Sequence, residues 1–226
     1  MKESHDSEIM KLADELYAKR KEVQSVRASV AMLISRPATA NDYDIQWRLG
    51  RALFFLGQEA TDKTSSLLRH SQGIEFCERA VAEQADRVEG HFWLGVNLAL
   101  SARWERWPAA MRRALHARRE LQRAIDIDSS YHAAGPLRVL ARLQQKVPRW
   151  LGGGVSRARA SYESAIALAP ENTVTRVYFV ELLIDLGEQE LARKHLEFVL
   201  SVAEDPDWSF EIERDKRLAK GMLGKL

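Results

Sequence analysis

The residues most suggestive of chemistry are three consecutive glycines, Gly152–Gly154, followed by Arg157 and Arg159 in the stretch PRWLGGGVSRARA. A glycine-rich loop cradles phosphate when a strand precedes it and Lys-Ser or Lys-Thr follows it. Here a segment with helical periodicity precedes the glycines, and Val155 follows them. We interpret the stretch as a turn between two helices, in which glycine supplies positive φ and Ser156 caps the second helix. Arg157 and Arg159 beside the first amides of that helix remain candidates for an anion contact.

Histidine and cysteine provide no recognisable catalytic or metal-binding pattern. The six histidines form no HxxxH, HExxH or Cys/His cluster, so the sequence predicts no catalytic residue, no metal site and no cofactor. His91 and His132 each lie near the start of a predicted helix, and an enzyme of unrecognised type built on that pair is kept as a hypothesis. Cys77 occupies a packing position, where a buried, inert thiol is expected.

Composition and hydropathy indicate a protein without a membrane span. The 226 residues are 46% hydrophobic, which is enough for a sizeable core, and the net charge is +2. A single cysteine excludes an intramolecular disulfide, and no apolar run approaches the roughly 20 residues that span a bilayer. The first residues contain neither a signal-peptide core nor a lipid-accepting cysteine. We therefore expect a soluble, cytoplasmic protein, or a periplasmic one if a leader was removed.

Charge is distributed unevenly along the chain. Residues 103–159 contain 13 Lys/Arg and 4 Asp/Glu, 13 − 4 = +9, whereas residues 181–215 contain 3 and 11, 3 − 11 = −8. Neither a groove-reading motif nor a ribonucleoprotein-type aromatic signature accompanies the basic segment, so no nucleic-acid partner is predicted. A solvated helical face is the simpler explanation of these arginines.

The elements that position these residues are predicted to be helices, because apolar residues recur every three or four positions and no convincing period-2 run is present. Four segments share a small–large–small triplet at offsets 0, 4 and 7 on one helical face. The triplets are Gly73–Cys77–Ala80, Ala117–Leu121–Ala124, Ala158–Tyr162–Ala165 and Ala192–Leu196–Val199. Successive triplets are 44, 41 and 34 residues apart. Small residues at both ends allow a neighbouring helix to approach closely, which predicts stacked helix pairs.

This pattern resembles the tetratricopeptide repeat (TPR), whose unit is 34 residues and two antiparallel helices. The longer spacings contain insertions such as RWERWPAAM and QKVPRWLGGGV between the helices of a pair. With those insertions, the sequence resembles a divergent branch that includes the T-component proteins of bacterial TRAP transporters and, more distantly, the regulator-of-microtubule-dynamics proteins. The resemblance covers about residues 10–224 and implies an all-α, TPR-like α-solenoid, a superhelix of antiparallel hairpins with long intra-repeat insertions.

The repeat pattern predicts a single domain over residues 1–226. An N-terminal helical cap is expected over residues 1–36 and a C-terminal capping helix over 206–225. The repeat hairpins are expected at residues 42–84, 87–128, 131–169 and 173–202.

The first helix of each pair is expected to line a concave groove that holds an extended peptide or a helix. Polar residues predicted to face outward on these helices are the candidate contacts with the partner: Arg48, Asn97, Arg138, Arg142 and Glu181. Trp104, Trp107 and Trp150 lie in the insertions, next to arginines. Trp and Arg together are typical of interface anchors, but an insertion folded back over its own hairpin is the interpretation we favour.

Three functions follow from these observations. The first is a non-catalytic scaffold or adaptor that binds another protein or peptide. The second, implied by the resemblance, is an accessory protein of a TRAP-type uptake system that assists a substrate-binding protein. The third is the enzyme built on the histidine pair. The identity of the partner, the biological process and the oligomeric state do not follow from the sequence.

Overall fold

The computed structural model describes residues 2–36 and 42–226, with side chains from Ser7 onward in the first helix. The chain forms two compact units, which are described separately below: unit 1 ends at Asp128, and unit 2 is Ser129–Leu226. Every regular element in the described ranges is a helix. No helix in these ranges combines the length and apolar character needed to cross a bilayer.

In its described residues, 2–36 and 42–128, unit 1 forms six α-helices that pack as consecutive pairs. They are α1 (Lys2–Ala18), α2 (Val23–Ile34), α3 (Tyr43–Gln58), α4 (Lys63–Glu83), α5 (Val88–Ala102) and α6 (Ala109–Asp128). Helix α1 packs on α2, α3 on α4 and α5 on α6, while α4 also packs on α5. Two aspartates define the starts of the middle pair: Asp42 accepts a hydrogen bond from the amide of Asp44 at 3.0 Å, and Asp62 accepts one from that of Ser65 at 2.8 Å.

Unit 2 contains two further pairs and a final helix. They are α7 (Tyr131–Lys146), α8 (Val155–Leu168), α9 (Thr173–Asp185), α10 (Gln189–Ser201) and α11 (Ser209–Leu223). Asn172 caps α9 by accepting from the Thr175 amide at 3.0 Å. Helix α11 packs on α9 and α10, where the buried carboxylate of Asp215 accepts from the Thr173 hydroxyl at 2.7 Å. The last helix is therefore attached to the preceding pair through a polar contact as well as through apolar packing.

The small–large–small triplets lie in the helix interfaces, as the sequence predicts. Ala117, Ala158 and Ala192, the first residues of three triplets, have no solvent exposure. The large central residues Tyr162 and Leu196 are also fully buried. The all-α helix-pair fold predicted from the triplets is therefore confirmed.

Glycines allow the helices of a pair to approach closely at these triplets. A Cβ placed on Gly50 of α3 would lie 2.1 Å from the Sγ of Cys77 on α4. A Cβ on Gly95 of α5 would lie 2.7 Å from the Cγ of Leu121 on α6. The central residues of these two triplets, Cys77 and Leu121, thus occupy the space that a side chain on the facing helix would otherwise fill.

Replacing Gly50 by alanine tests this close approach. We expect Gly50→Ala to lower the free energy of unfolding by about 1–3 kcal/mol, because the added methyl group overlaps a fully buried sulfur atom. The matched control is Gly221→Ala in α11, where no atom lies within 4 Å of the new Cβ, and a gain of about 0.5–1 kcal/mol is expected from helix propensity. Urea unfolding followed by circular dichroism measures both. Equal effects of the two substitutions would contradict the packing described.

Candidate protein-binding site

Arg48 lies beside an open cavity in unit 1. Its Nε and Nη2 atoms donate to the carboxylate of Asp14 at 2.9–3.1 Å, and its Nη1 donates to Oδ1 of Asp44 at 3.1 Å. The guanidinium stacks on the ring of Trp47, 4.3 Å from its centroid. A cavity of about 510 Å³ opens next to this pair and is lined mainly by residues of α1. The neighbouring helices α1 and α3 thus place a fixed charge pair at an accessible depression.

Asp14 is the accessible member of this pair, and sequence reasoning did not identify it. Its side chain is 38% exposed, compared with 13% for Arg48. Partial burial alone raises the pKa of Asp14, but the hydrogen bond from Arg48 and the charge of Arg51 outweigh that effect and lower the pKa. The carboxylate is therefore ionised at neutral pH. Asp14 and Arg48 are 34 residues apart in sequence, so no local pattern connects them.

Asn97 does not face outward, contrary to the sequence prediction. The side chain is completely buried, and its Nδ2 donates to the carbonyl oxygens of Gly50 at 3.1 Å and Trp93 at 2.9 Å. Its Oδ1 lies 3.1 Å from Nδ1 of His70. The amide therefore links α3, α4 and α5 through hydrogen bonds that are satisfied inside the core, where a partner cannot reach them.

Arg138 is also buried rather than outward-facing. Only 5% of the residue is exposed. Its guanidinium donates to the carbonyl oxygen of Ala133 at 2.9 Å, to that of His132 at 3.4 Å and to Oδ1 of Asn172 at 3.3 Å. Burial lowers the pKa of Arg138 to about 10, so the side chain stays charged at neutral pH. The expectation that Arg138 faces outward to contact a partner is wrong, because its donors are used within unit 2.

The backbone that Arg138 binds has an unusual conformation. His132, Ala133 and Ala134 have φ values of 51°, 54° and 56°, which form a left-handed turn at the start of α7. Residues with a Cβ pay about 1–2 kcal/mol each for this conformation. The hydrogen bonds from Arg138 to two carbonyls of the turn oppose that cost. Three consecutive non-glycine residues carry no sequence signal for such a turn.

Arg142 and Glu181 are brought together on the first helices of unit 2. Nη2 of Arg142 on α7 lies 2.7 Å from Oε2 of Glu181 on α9, with side-chain exposures of 29% and 32%. The guanidinium also lies over the ring of Tyr178, 4.9 Å from its centroid. Burial alone lowers the pKa of Arg142, but Glu181 outweighs it and raises the pKa. Of the five predicted contacts, these two form a charged pair that remains accessible to solvent.

The glycine amides are used by the backbone. The amides of Gly152–Gly154 donate at 2.9–3.1 Å to the carbonyl oxygens of Arg149, Pro148 and Gln144. They are thus not free to cradle a phosphate, in agreement with the interpretation as a turn. The third glycine, and not Ser156, precedes the first residue of α8. Its φ of 127° favours glycine, which explains why the helix begins before Ser156.

The two arginines beside that turn differ in their surroundings. Arg157 is exposed, whereas Arg159 forms ion pairs with Glu188 and, at 3.6 Å, with Glu163. Glu163 and Glu188 thus already supply negative charge to Arg159. Binding of an external anion by Arg157 and Arg159 stays a prediction.

His91 is held in its charged form. Its Nδ1 lies 2.7 Å from Oε2 of Glu120, and its Nε2 lies 3.0 Å from the carbonyl oxygen of Ala85. Both ring nitrogens face acceptors, so both must donate. Burial alone lowers the pKa of His91, but the hydrogen bonds to Glu120 and Ala85 outweigh it and raise the pKa. His116 also approaches Glu120, at 3.2 Å.

The other candidates for chemistry have structural contacts. The ring of His132 stacks on Trp208 in unit 2, with 4.8 Å between centroids. Burial raises the pKa of the Cys77 thiol, which removes its nucleophilic thiolate. Among the side chains that the structure describes, no group of three or more His, Cys, Asp or Glu is arranged to hold a metal ion. A catalytic centre that combines His91 and His132 stays a prediction.

The left-handed turn generates a stability prediction. Ala133→Gly is expected to leave stability unchanged or raise it by up to about 1 kcal/mol, because glycine adopts positive φ without strain. The control, Ala160→Gly on the exposed surface of α8, should lower stability by about 1 kcal/mol. Both are measured by urea unfolding. A loss at Ala133 as large as that at Ala160 would show that the turn is right-handed.

His91 in unit 1 and His195 in unit 2 are predicted to have pKa values shifted in opposite directions. The raised pKa of His91 means that its stabilising contribution is fully present below pH 6.5 and is lost as pH rises through the raised value. In unit 2, burial and then the charge of Arg176 lower the pKa of His195 to about 4. Stability that depends on His195 therefore declines as pH falls from about 6.5 towards 4.

Nuclear magnetic resonance titration of the ring protons measures both values. The His91→Gln and His195→Gln variants assign the signals and serve as controls in pH-dependent unfolding. A His91 pKa below 6.5 would contradict the charged pair with Glu120.

Comparisons with known proteins agree with this architecture. The family model described as regulator of microtubule dynamics protein 1-3 matches residues 9–223. A solved structure of a thermophilic TPR protein from Thermus thermophilus superposes with a TM-score of 0.68 and 19% sequence identity, covering 92% of this chain and 97% of that one. No individual curated protein matches significantly.

The family match and the structural likeness support the same conclusion. The resemblance to the microtubule-dynamics regulators, which the sequence indicated as the more distant one, is the one that the family model matches over nearly the full length. The superposition establishes the TPR-like helical-repeat fold and nothing about the ligand. The chain therefore belongs to the regulator of microtubule dynamics protein 1-3 family and is a divergent TPR-like helical-repeat protein.

Proposed function

We propose that this protein is a non-catalytic adaptor that binds another protein through charged side chains on the first helices of its pairs. Helical-repeat folds of this kind serve in general as protein-interaction scaffolds. The observation that carries the proposal is the half-exposed Arg142–Glu181 pair, which joins two successive first helices. No observation favours the alternative role beside a solute transporter.

The surroundings of Arg142 suit it to recognition of a peptide. The guanidinium is oriented by Glu181, by the ring of Tyr178 and by Oε1 of Gln145, which accepts from Nη1 at 3.2 Å. A side chain that is already ordered loses less conformational entropy when a ligand binds. Arg142 and Glu181 together present one positive and one negative charge. Such a pair can orient a bound peptide by contacting both its backbone and a charged side chain.

Unit 1 also carries a partly exposed pair of opposite charges, which lies between α1 and α3. The Arg48–Asp14 pair borders the open cavity on α1, and its more exposed member is the acid. Basic groups of a partner would meet here a carboxylate that is ion-paired with Arg48 and Arg51 and whose side chain is still 38% exposed. We include Asp14 in the proposed contact set and leave out the buried Asn97 and Arg138.

The family description defines a first partner to test. Because the matched family is named for the regulation of microtubule dynamics, purified microtubules are the defined candidate for co-sedimentation with this chain. Affinity capture from a native lysate with mass spectrometry extends the search to other proteins.

A charge swap separates binding from folding at Arg142 and Glu181. The double variant Arg142→Glu/Glu181→Arg keeps an ion pair between α7 and α9 but exchanges the positions of the two charges. We expect the partner bound by the wild type to be retained at least about tenfold less well, because a misplaced contact charge costs about 1.4 kcal/mol or more. Circular dichroism should be unchanged.

Lys194→Glu, on the exposed face of the second helix α10, is the control for a change of surface charge. It should retain the partner as well as the wild type does. Equal retention by the charge swap and the wild type would count against binding at this pair.

A further inference from the structure

A row of exposed arginines in unit 1 plays no part in the function proposed above. Residues 103–123, the loop before α6 and most of that helix, contain seven arginines, two glutamates and no lysine, 7 − 2 = +5. Arg112, Arg119 and Arg123 are all exposed and are spaced 7 and 4 residues apart. That spacing places them on one face of α6, over a length of about 16 Å.

Both carboxylates of this segment are already occupied. Glu105 accepts from Nε of Arg113, and Glu120 is shared by His91 at 2.7 Å and His116 at 3.2 Å. Among the described side chains, no carboxylate forms an ion pair with the arginines of the exposed face. They are Arg112, Arg119 and Arg123 on one side of α6, Arg118 about 120° around the helix from these, and Arg106 in the preceding loop. The exposed carboxylate of Asp126, which accepts from Nε2 of Gln122 at 3.0 Å, adds one negative charge near Arg123, and the face keeps a net positive charge.

The opposite face of α6 accounts for the orientation of the arginines. Ala117, Leu121 and Ala124 are fully buried and lie at the α5–α6 interface. Packing of the small–large–small triplet fixes the rotation of α6 about its axis. Arg112, Arg119 and Arg123 lie on the side of α6 opposite the triplet and are therefore held in solvent by the same contacts that form the core.

An exposed tryptophan lies in the loop that leads into α6. Trp107 is 70% exposed, and Trp104 is 38% exposed with the guanidinium of Arg103 5.9 Å from its ring. The prediction that the insertion folds back to cover its own tryptophans is wrong for Trp107. Burial of this large apolar side chain by a partner would be favourable.

We propose that this arginine face, Trp107 together with the five exposed arginines named above, binds a carboxylate-rich segment of another protein. Arginine forms paired, coplanar hydrogen bonds with carboxylates, which lysine cannot do. Tryptophan and arginine together are the side chains that contribute most at protein interfaces. The row of about 16 Å matches about five residues of an extended peptide.

Because the basic residues of this segment are all arginine, a protein is favoured over a lipid surface as the binding partner. Attraction to an anionic bilayer depends on the number of positive charges, which lysine supplies equally well. A nucleic acid also accepts paired hydrogen bonds from arginine, but the segment contains neither a groove-reading motif nor a series of stacking aromatics. The test therefore includes an anionic bilayer and a nucleic acid as competing ligands.

Fluorescence anisotropy with a fluorescein-labelled peptide of glutamate and leucine tests the proposal. The Arg112→Glu/Arg119→Glu variant is compared with Arg27→Glu/Arg79→Glu, which makes the same charge change at exposed positions on α2 and α4 of the same unit. We expect the first variant to bind at least about tenfold more weakly and the control to change less than about twofold. Trp107→Ala should weaken binding about threefold or more.

Several results would overturn the proposal. One is an equal loss in both double variants, which would indicate attraction to net charge alone. Another is no binding of the peptide by the wild type. Tighter binding of phosphatidylserine vesicles or of a single-stranded oligonucleotide than of the peptide would assign the face to those ligands. If the charge reversal alters the circular dichroism spectrum, Arg112→Gln/Arg119→Gln provides the same comparison. None of these results bears on the Arg142–Glu181 contact in unit 2.

Discussion

Close contact between helices at small side chains is the constraint on which the rest of the structure depends. Where α3 meets α4, Gly50 provides the space that Cys77 fills, and Gly95 does the same for Leu121 between α5 and α6. The dispersion energy between two atoms falls off steeply with their distance. Helices that approach this closely therefore gain dispersion energy along their whole length. The same approach fixes each helix in rotation and therefore decides which side chains reach solvent.

Buried polar groups make the packing specific. Asn97 joins three helices of unit 1 through its amide, and in unit 2 Arg138 binds carbonyls that a left-handed turn exposes. Asp215 connects the last helix to Thr173. Such groups are costly to bury without partners, so an alternative register that broke their hydrogen bonds would be disfavoured. Polar residues on apparently apolar helices have this structural role here.

Charged residues divide into two groups in unit 1. On the first helices, arginines are paired with acids, as in Arg48 with Asp14, so their charges are largely compensated. Around α6, Glu120 is used by His91 and His116 and Glu105 by Arg113, and among the described side chains no carboxylate forms an ion pair with Arg112, Arg119 or Arg123. Surfaces of the first kind have the mixed charge suited to aligning a peptide. A surface of the second kind attracts an anionic partner over a longer range.

The repeat of small residues by itself determined the fold class, because a spacing of 0, 4 and 7 on a helix selects one face regardless of what covers it. The alternation of first and second helices assigns Arg142 and Glu181 to successive first helices, α7 and α9. Only the tertiary structure decided that Asn97 and Arg138 are buried and that Trp107 is exposed. Periodicity tells on which side of a helix a residue lies. Which neighbour covers that side depends on contacts between residues far apart in sequence, such as Asp14 and Arg48.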